Sequence, residues 1–257
     1  MNRALYAAAT GMAAQQKNLE IVADNLANAD VAGFKGAAET FTDIATRGGT
    51  LGTAPAGTHV MFTQGKLERS GGPFDLAIQG AGFFTVADGA GRLAFTRNGE
   101  FSRSADGSLR NAQGRRLLGA RIPGDAISVN VASDGAVTAQ TAAGEKKCGR
   151  IRIAEFASPE YLEAAGGTLF FETKASGKAR FVDPGKRGGP ELKFGMLERS
   201  NVTIVEAMMQ ILAAQRAYEA NAKGVQAADE MMRIGPNFIK RVLHRIFEAR
   251  SELLLTL

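Results

Sequence analysis

The residues with reactive side chains are few and widely spaced in this sequence. It contains one cysteine, Cys148, and two histidines, His59 and His244. A single cysteine excludes an internal disulfide framework and a multi-cysteine zinc site, and neither histidine has a second ligand at metal-binding spacing. We therefore interpret both histidines as surface or packing residues and predict no metal site.

The carboxylates and the glycine-rich runs lack the context of a catalytic or nucleotide site. Asp24, Asp30 and Asp43 do not have the spacing of a calcium loop, and no G-x-S-x-G motif or paired catalytic carboxylates occur. The run Gly80-Ala81-Gly82 resembles part of a phosphate loop, but the strand pattern FFTV follows it, where phosphate binding needs a helix N-terminus. The sequence therefore predicts no enzyme, no cofactor and no small-molecule substrate.

Composition sets wide limits on the fold and on the partners. With 257 residues, of which 45% are hydrophobic, the chain can bury the cores of one large or two ordinary domains. The formal charge of +5 is a mild excess of basic residues, which we interpret as spread along the chain. Nucleic-acid binders usually concentrate their basic residues on one face, so this charge does not favour nucleic-acid binding. No eighteen consecutive apolar residues occur, so no membrane span is predicted.

Arg3 and the alanine-rich run after it resemble a short signal peptide, but the heptad pattern continues past them, which favours a mature helix.

Two stretches repeat apolar residues at seven-residue intervals. The C-terminal stretch also has small or polar residues three positions further on, which is the a/d spacing of a coiled-coil seam. The first heptad position holds Leu5, Met12, Leu19 and Leu26 near the N-terminus and Ile204, Ile211, Tyr218, Val225 and Met232 near the C-terminus. The second position in the C-terminal stretch holds Ala207, Ala214, Asn221 and Ala228. These residues predict an assembly seam between two helices.

The elements that position this seam indicate an α+β fold. A helix is predicted over 4–28, and residues 1–32 plus 198–234 are predicted to form one discontinuous helical coiled-coil domain. Residues 33–73 show no sustained period and predict an extended connector with one or two short strands. Residues 74–197 change to a period of two, which predicts an inserted antiparallel β domain of about eight to ten short strands. Hairpin turns are predicted at Asp88-Gly89, Asn98-Gly99, Asp106-Gly107 and Asp134-Gly135.

The C-terminal helix has a predicted start and a predicted end. Ser200 or Asn201 is expected to cap its N-terminus, and Gly235-Pro236 is expected to stop or kink it. Residues 235–257 are interpreted as a basic amphipathic tail, because Lys240 and Arg241 lie beside an apolar face.

Three groups of motifs resemble one bacterial family. NLANADVAGFK, then DLAIQGAGFFTV with AFTRNGEFSRSADGSLRNAQGRRLLG, then GMLERSNVTIVEAMMQILAAQRAYEANAKGVQAADEM are similar to segments of the flagellar axial proteins, the rod and hook group. They occur in the family's order and cover both ends and much of the middle. The first motif supplies a signature turn at Asn25, Asn28, Gly33, Phe34 and Lys35. The short spacing from Phe34 to Phe84 is most similar to a proximal rod subunit, with a distal rod subunit second.

This resemblance implies a structural subunit of the flagellar basal-body rod that polymerises through its terminal helices and transmits torque from the motor to the hook. The implied partners are other rod and hook subunits and the flagellar export apparatus. The implied location is the periplasm-spanning rod, reached by type III export without a cleaved signal peptide. Because the alanine-rich seams bury little area per residue, the ends are also expected to order on neighbouring subunits.

Two other functional classes remain open from the residues alone. The first alternative is a secreted β-domain binding protein with helical stalks, for which cleavage near Ala14 would argue. The second is a hydrolase or transferase on a β scaffold, which would require polar residues converging in one pocket.

Overall fold

The computed structural model describes residues 3–46, 49–186 and 188–255, and it describes side chains over 5–44, 52–186 and 188–233. Helix α1 covers Arg3–Ala27, which confirms the predicted N-terminal helix to within one residue at each end. Helix α2 covers Ile204–Leu255 and continues through residues 235 and 236, so the predicted stop at Gly235-Pro236 does not occur. The side chains of the predicted basic tail lie outside the described residues.

Strands occupy most of the chain between the two helices. They are β1 (Ala37–Thr46), β2 (Gly49–Val60), β3 (Leu67–Arg69), β4 (Leu76–Gln79), β5 (Phe83–Ala87), β6 (Leu93–Thr96), β7 (Ser102–Arg103), β8 (Ser108–Arg110), β9 (Arg116–Arg121), β10 (Ala126–Val131), β11 (Ala136–Thr141), β12 (Gly144–Arg150), β13 (Ile153–Glu155), β14 (Glu163–Ala164), β15 (Leu169–Phe171), β16 (Arg180–Val182), β17 (Glu191–Phe194) and β18 (Met196–Glu198). No helix of the described residues is long and apolar enough to cross a membrane.

The chain divides into two compact units. One consists of Met1–Val22, Glu39–Thr58 and Met209–Leu257, and the other of Ala23–Ala38 and His59–Met208. The first unit therefore contains most of α1 and most of α2, together with the greater part of β1 and β2. Sequence segments from both ends of the chain thus belong to one body.

In the first unit, the segment predicted as a connector contains a two-stranded ribbon. Strands β1 and β2 have 10 and 12 residues and pair with each other, so they are longer than the short strands that the sequence predicts. Gly52 on β2 lies against α1, since a Cβ there would come within 2.1 Å of Thr10 Oγ1. The absence of strong periodicity in this segment reflects its small residues, which leave no alternating apolar signal.

The second unit is built on a large antiparallel sheet. Its main path has the strand order β10-β11-β12-β9-β5-β6-β15-β14, and two smaller pairs, β17–β4 and β18–β3, join the first strands of the unit to its last ones. The predicted antiparallel character of residues 74–197 is confirmed, although the strands are more numerous than the eight to ten expected. The core consists of residues from most of these strands, with Leu76, Ile78, Phe84, Val86, Leu109, Leu117, Ile151 and Ile153 at its centre.

Three of the four predicted hairpin turns are present. Asp88-Gly89 joins β5 to β6, Asp106-Gly107 joins β7 to β8, and Asp134-Gly135 joins β10 to β11. The prediction at Asn98-Gly99 is wrong, because β6 and β7 do not pair there. Gly99 instead allows a close backbone approach, since a Cβ would lie 1.6 Å from Leu76 O.

Helix α2 begins at a residue other than those predicted. Thr203 is the cap: Glu206 N donates to Thr203 Oγ1 at 3.3 Å, and Ala207 N donates to Thr203 O at 3.0 Å. With Glu206 three positions later, this is the S/T-x-x-E pattern of a capping box. Ser200 and Asn201 do not cap because their side chains accept hydrogen bonds from Val202 N and Gly36 N.

Candidate functional site

Side chains from distant parts of the sequence meet at one buried site in the second unit. It joins the turn after α1, the end of β6, and the segment that leads from β18 into α2. We call this site the junction and define it by Asn25, Gly33, Lys35, Arg97, Glu198 and Asn201. The signature turn of the sequence motif supplies three of its members.

Asn25 fixes the path of the chain where it leaves α1. Its side chain is 6% exposed and brackets Ala37, donating from Nδ2 to Ala37 O at 2.7 Å and accepting at Oδ1 from Ala37 N at 2.8 Å. Both polar atoms of the amide are therefore satisfied by backbone. A leucine or an aspartate cannot make this pair of bonds, which explains an asparagine at this position.

Gly33 is required by both its backbone angle and its surroundings. Its φ is +67°, and a Cβ would lie 2.3 Å from Asn98 N and 2.4 Å from the carbonyl carbon of Arg97. Its own N–H donates to Glu198 O at 2.7 Å. Any side chain here would push the turn away from the strands it contacts.

Lys35 and Glu198 form a buried ion pair at the centre of the junction. Lys35 Nζ lies 2.5 Å from Glu198 Oε1, and both side chains are fully buried. The ammonium also donates to Thr63 O at 2.7 Å, while the same carboxylate oxygen accepts from Gly65 N at 2.9 Å. A buried charge pair needs such additional hydrogen bonds to offset its lost hydration.

Arg97 adds a second buried cation beside the same carboxylate. Its Nη1 lies 3.6 Å from Glu198 Oε2, which accepts no hydrogen bond among the described residues, so this contact is electrostatic only. Arg97 Nη2 donates to Gly80 O at 2.6 Å. Burial lowers the pKa of Lys35 despite the adjacent carboxylate, and it lowers the pKa of Arg97 as well. The single carboxylate of Glu198 therefore balances the buried positive charges of both Lys35 and Arg97.

Asn201 connects the start of α2 to the two other chain segments. Its Oδ1 accepts from Gly36 N at 2.8 Å, and its Nδ2 donates to Met61 O at 2.7 Å and to Thr63 Oγ1 at 2.9 Å. One amide thus holds three segments in register. This role accounts for its failure to cap the helix.

The other two residues of the signature turn lie at the edge of the junction. Asn28 closes the C-terminus of α1, since its Nδ2 donates to Asp24 O at 2.9 Å. Phe34 is half-buried and lines a cavity of about 260 Å³ together with Val31 and Val60. All five signature residues therefore lie near this site. Arg97, Glu198 and Asn201 were not predicted as site residues, although the quoted motifs contain them.

The glycine run that resembles a phosphate loop is a turn between β4 and β5. Gly80 and Gly82 have φ angles of +106° and +113°, and a Cβ on Gly82 would lie 2.2 Å from Ile153 Cγ2. These glycines therefore serve close packing rather than anion binding. Among the described residues, no group of His, Cys, Asp and Glu side chains could hold a metal ion.

The terminal helices approach each other closely in the first unit. A Cβ on Gly11 of α1 would lie 2.9 Å from Asn221 Nδ2 of α2. On α2 the alanines at the second heptad position are buried, at 2% for Ala207, 3% for Ala214 and 1% for Ala228. On α1 the buried apolar residues are Ala14, Ile21 and Val22. Three alanines of one stripe of α2 are therefore buried, and Asn221 in the same stripe is partly buried.

The predicted seam residues are less buried than these alanines. Six of them are partly buried, namely Leu5, Met12, Leu19, Leu26, Ile211 and Val225. The other three are exposed: Ile204 at 44%, Tyr218 at 41% and Met232 at 43%. Their role as an assembly seam stays a prediction.

Helix α2 also exposes a continuous apolar surface. Val205, Met208, Met209 and Leu212 are 69%, 52%, 60% and 56% exposed and follow the i, i+3, i+4, i+7 spacing of one helix face. We call these four residues the α2 apolar face. Large apolar side chains collected on one face mark an interaction surface rather than chance exposure.

Comparison with protein families matches three separate segments of the chain. Residues 5–35 match the flagella basal body rod protein family, residues 77–139 match the flagellar hook protein FlgE/F/G D1 domain, and residues 194–235 match the flagellar basal body rod FlgEFG protein C-terminal family.

Curated relatives are similar over almost their whole length. Flagellar basal-body rod protein FlgG of Borreliella burgdorferi is 36% identical, with 92% of this chain and 98% of the relative covered. FlgG of Agrobacterium fabrum is 36% identical over 90% of this chain and 97% of the relative, and FlgG of Bacillus subtilis is 33% identical over the same shares. The chain belongs to the flagellar basal-body rod protein family.

Each family segment contributes one charged residue to the junction. Lys35 is the last residue of the N-terminal match, Arg97 lies in the D1 match, and Glu198 lies in the C-terminal match. The buried ion pairs thus join the three parts of the rod-family chain that the comparisons recognise separately.

As a member of the rod protein family, the chain is a structural subunit of the flagellar basal body and not an enzyme. The prediction of a structural rod protein is confirmed. Assembly with other rod and hook subunits follows from the family.

Proposed function

We propose that this subunit polymerises through α1 and α2, which form a coiled coil with neighbouring subunits and build the wall of the rod. The α2 apolar face is the main observation in support, because a monomer leaves four large apolar residues in water. Burying one such side chain is worth about 1.5 to 3 kcal/mol, so the face supplies a substantial driving force for association.

The buried alanine stripe supports the coiled-coil arrangement. Ala207 and Ala214 are one heptad apart, Ala228 follows two heptads later, and Asn221 between them lies close to Gly11. Small residues at a seam let helix backbones approach closely, and a polar residue at one seam position fixes register at a cost in stability. Helices packed this way suit a many-helix wall that transmits torque from the motor to the hook.

The junction gives the subunit a stiff connection between its ends. Its ion pairs and hydrogen bonds link the chain just after α1 to the chain just before α2, with little exposure of any member to solvent. Within the second unit, the same bonds hold these two segments to the end of β6. This arrangement favours a load-bearing role for the junction.

The remaining parts of the proposal concern delivery and location. The subunit passes through the flagellar export apparatus without cleavage of a signal peptide, and it lies in the part of the rod that spans the periplasm. The heptad pattern supports retention of the N-terminus, because Leu5 and Met12 belong to the same seven-residue repeat as Leu19 and Leu26, and cleavage near Ala14 would divide that repeat. Mass spectrometry of the subunit from purified basal bodies tests it by showing whether the first residues are retained.

A substitution on the α2 apolar face tests the polymerisation proposal. We expect Leu212→Asp to abolish incorporation into basal bodies, because a carboxylate would be buried between helices without a partner. Gln210→Asp is the matched control, since Gln210 is exposed on the same helix about half a turn away. Subunit content of purified basal bodies, measured by quantitative immunoblot, gives the result. Normal incorporation of Leu212→Asp would overturn the proposal.

A further inference from the structure

We infer that the β domains of two neighbouring copies of this chain contact head to tail, with an acidic turn of one copy seated in a basic cleft of the next. This inference rests on the proposed polymerisation and identifies a second contact surface within it. It is based on the basic cleft, on the acidic turn, and on the distance that separates them within one chain.

The basic cleft forms where two strands of the main sheet separate. Strand β12 pairs with β9 only at Gly149 and Ala120, so the start of β12 diverges from the end of β9. A cleft of about 350 Å³ opens there, and its cationic side chains are Arg121, Lys146 and Lys147.

The positive charge of this cleft is not neutralised within the chain. Among the described residues, Lys146 and Lys147 are exposed and have no acidic partner, and Arg121 donates through Nε to the backbone oxygen of Asp106 at 3.0 Å. The Asp106 carboxylate lines the cleft, but it accepts from Ser108 at 2.6 Å and from Arg110 at 3.0 Å. Glu145 is the one acid on β12, and it too is exposed.

The acidic turn lies at the edge of the main sheet formed by β14. It consists of the short 3-10 helix Pro159–Tyr161 and strand β14. Glu160 and Glu163 are exposed and have no cationic partner among the described residues, and Tyr161 between them is 58% exposed. The turn therefore presents two carboxylates and an aromatic ring to solvent.

Sequence counts show that this separation of charge is a property of whole segments. Residues 92–152 contain 11 Lys and Arg against 5 Asp and Glu, whereas residues 153–172 contain 4 Glu and neither Lys nor Arg. The first of these segments alone carries a charge of +6, so the positive excess is concentrated there and is not spread along the chain as the total charge suggested. Complementary potentials of this kind set partner choice and register at interfaces.

The two surfaces cannot meet within one chain. Along the sheet, β12 and β14 are separated by the four strands β9, β5, β6 and β15. Five steps of about 4.8 Å place them roughly 24 Å apart. Contact must therefore come from another copy, and a surface that binds a different surface on the next copy generates an open helical polymer.

The native Cys148 provides a direct test, because it lies in the cleft beside Lys147 and is the only cysteine of the sequence. In cells whose subunit carries Glu160→Cys, mild oxidation of isolated rods should produce disulfide-linked dimers and higher multimers. Ala90→Cys, at an exposed turn between β5 and β6, is the matched control and should give at least about tenfold less product. Equal yields from the two variants would overturn the inference.

Charge reversal provides the second test. We expect Lys146→Glu with Lys147→Glu, introduced into the Glu160→Cys background, to lower the cross-link yield about tenfold. Adding Glu163→Lys should restore part of the yield, because its cation would face the reversed cleft. Lys178→Glu, an exposed lysine outside both surfaces, should leave the yield unchanged.

The two proposals fail in different ways. If the Glu160→Cys subunit enters basal bodies normally but does not cross-link to Cys148, the head-to-tail contact is wrong and the helical polymerisation stands. If the Leu212→Asp subunit also enters basal bodies normally, the polymerisation proposal itself is wrong. Quantitative immunoblots of the same basal-body preparations, run with and without reductant, separate these outcomes.

Discussion

At the junction, Lys35, Arg97 and Glu198 are between 1% and 4% exposed, and hydrogen bonds within the chain serve most of their polar atoms, Glu198 Oε2 being the exception among the carboxylate oxygens. On the α2 apolar face, by contrast, Val205 is 69% and Leu212 is 56% exposed. The junction thus buries charge inside the subunit, whereas the helix leaves apolar area outside it. Both are costly in a monomer, but only the second cost is removed by association.

This difference separates two kinds of variant. Substitutions at the junction should lower the stability of the subunit itself, whereas substitutions on the α2 apolar face should leave that stability nearly unchanged and prevent assembly. The predictions below are in order of decreasing expected effect: the first two test the junction, and the last two concern sites outside it for comparison.

Glu198→Ala should have the largest effect on stability. It leaves Lys35 and Arg97 buried without a counter-charge, and breaking a buried ion pair in this way typically costs about 3 to 5 kcal/mol. Hydrogen exchange of the β5 amides, measured by mass spectrometry against urea concentration, reports the free energy of unfolding of the second unit. Glu145→Ala, on an exposed strand, should change it by less than about 0.5 kcal/mol. Equal effects of the two variants would show that the junction is not a buried ionic site.

Gly33→Ala should have the next largest effect. The left-handed backbone costs a non-glycine residue about 1 to 2 kcal/mol, and the new Cβ would also overlap Asn98 N. We expect a loss of about 2 to 3 kcal/mol in the same exchange measurement. Gly114→Ala is a useful control, because its φ of +74° carries the same strain while no atom lies within 4 Å of its Cβ position. If Gly33→Ala lowered the free energy of unfolding no more than Gly114→Ala does, the close backbone approach at Gly33 would contribute nothing to stability.

These two sites also show what the sequence could and could not predict. The motif NLANADVAGFK led to Asn25, Gly33 and Lys35, and two-residue periodicity correctly placed the antiparallel sheet. The residues that Lys35 contacts could not be predicted, because Glu198 lies 163 positions away and only the folded chain brings it close. A sequence pattern reports the period of one element and carries no information on which distant element it contacts.

The errors in the strands have equally local causes. Ile127 alternates with polar residues as a residue on the buried face of a strand would, but it is 74% exposed, because the register of β10 shifts between Ala126 and Ser128. Such a bulge reverses the face of the residues on one side of it. Ile151 and Ile153 also alternate with polar residues, and both are 0% exposed, as a two-residue period indicates.

Thr203→Ala should have a moderate effect confined to the start of α2. The variant removes the oxygen that accepts from Glu206 N, and loss of such a cap typically costs about 1 kcal/mol. Amide exchange over 204–210 should accelerate while exchange in β5 stays unchanged. Thr203→Ser keeps the oxygen and should restore protection. If Thr203→Ser exchanged as fast as Thr203→Ala, the threonine methyl group rather than the cap would be responsible.

Asp106→Asn should have the smallest effect. Because Asp106 lies on an exposed turn, this variant compares an exposed carboxylate with the buried carboxylate of Glu198. Hydrogen bonds from Ser108, and then from Arg110, hold the pKa of Asp106 well below its ordinary value of 3.8. A carboxyl group with a lowered pKa stabilises the fold above the unfolded value, and this contribution is lost as the pH falls through the folded value. The stability difference between wild type and Asp106→Asn should therefore be present at pH 6 and shrink below pH 3.8, as measured by urea unfolding at several pH values. Asp125→Asn is the control, because its carboxylate accepts no hydrogen bond among the described residues. A difference that does not vary with pH would show that these hydrogen bonds do not favour the ionised form.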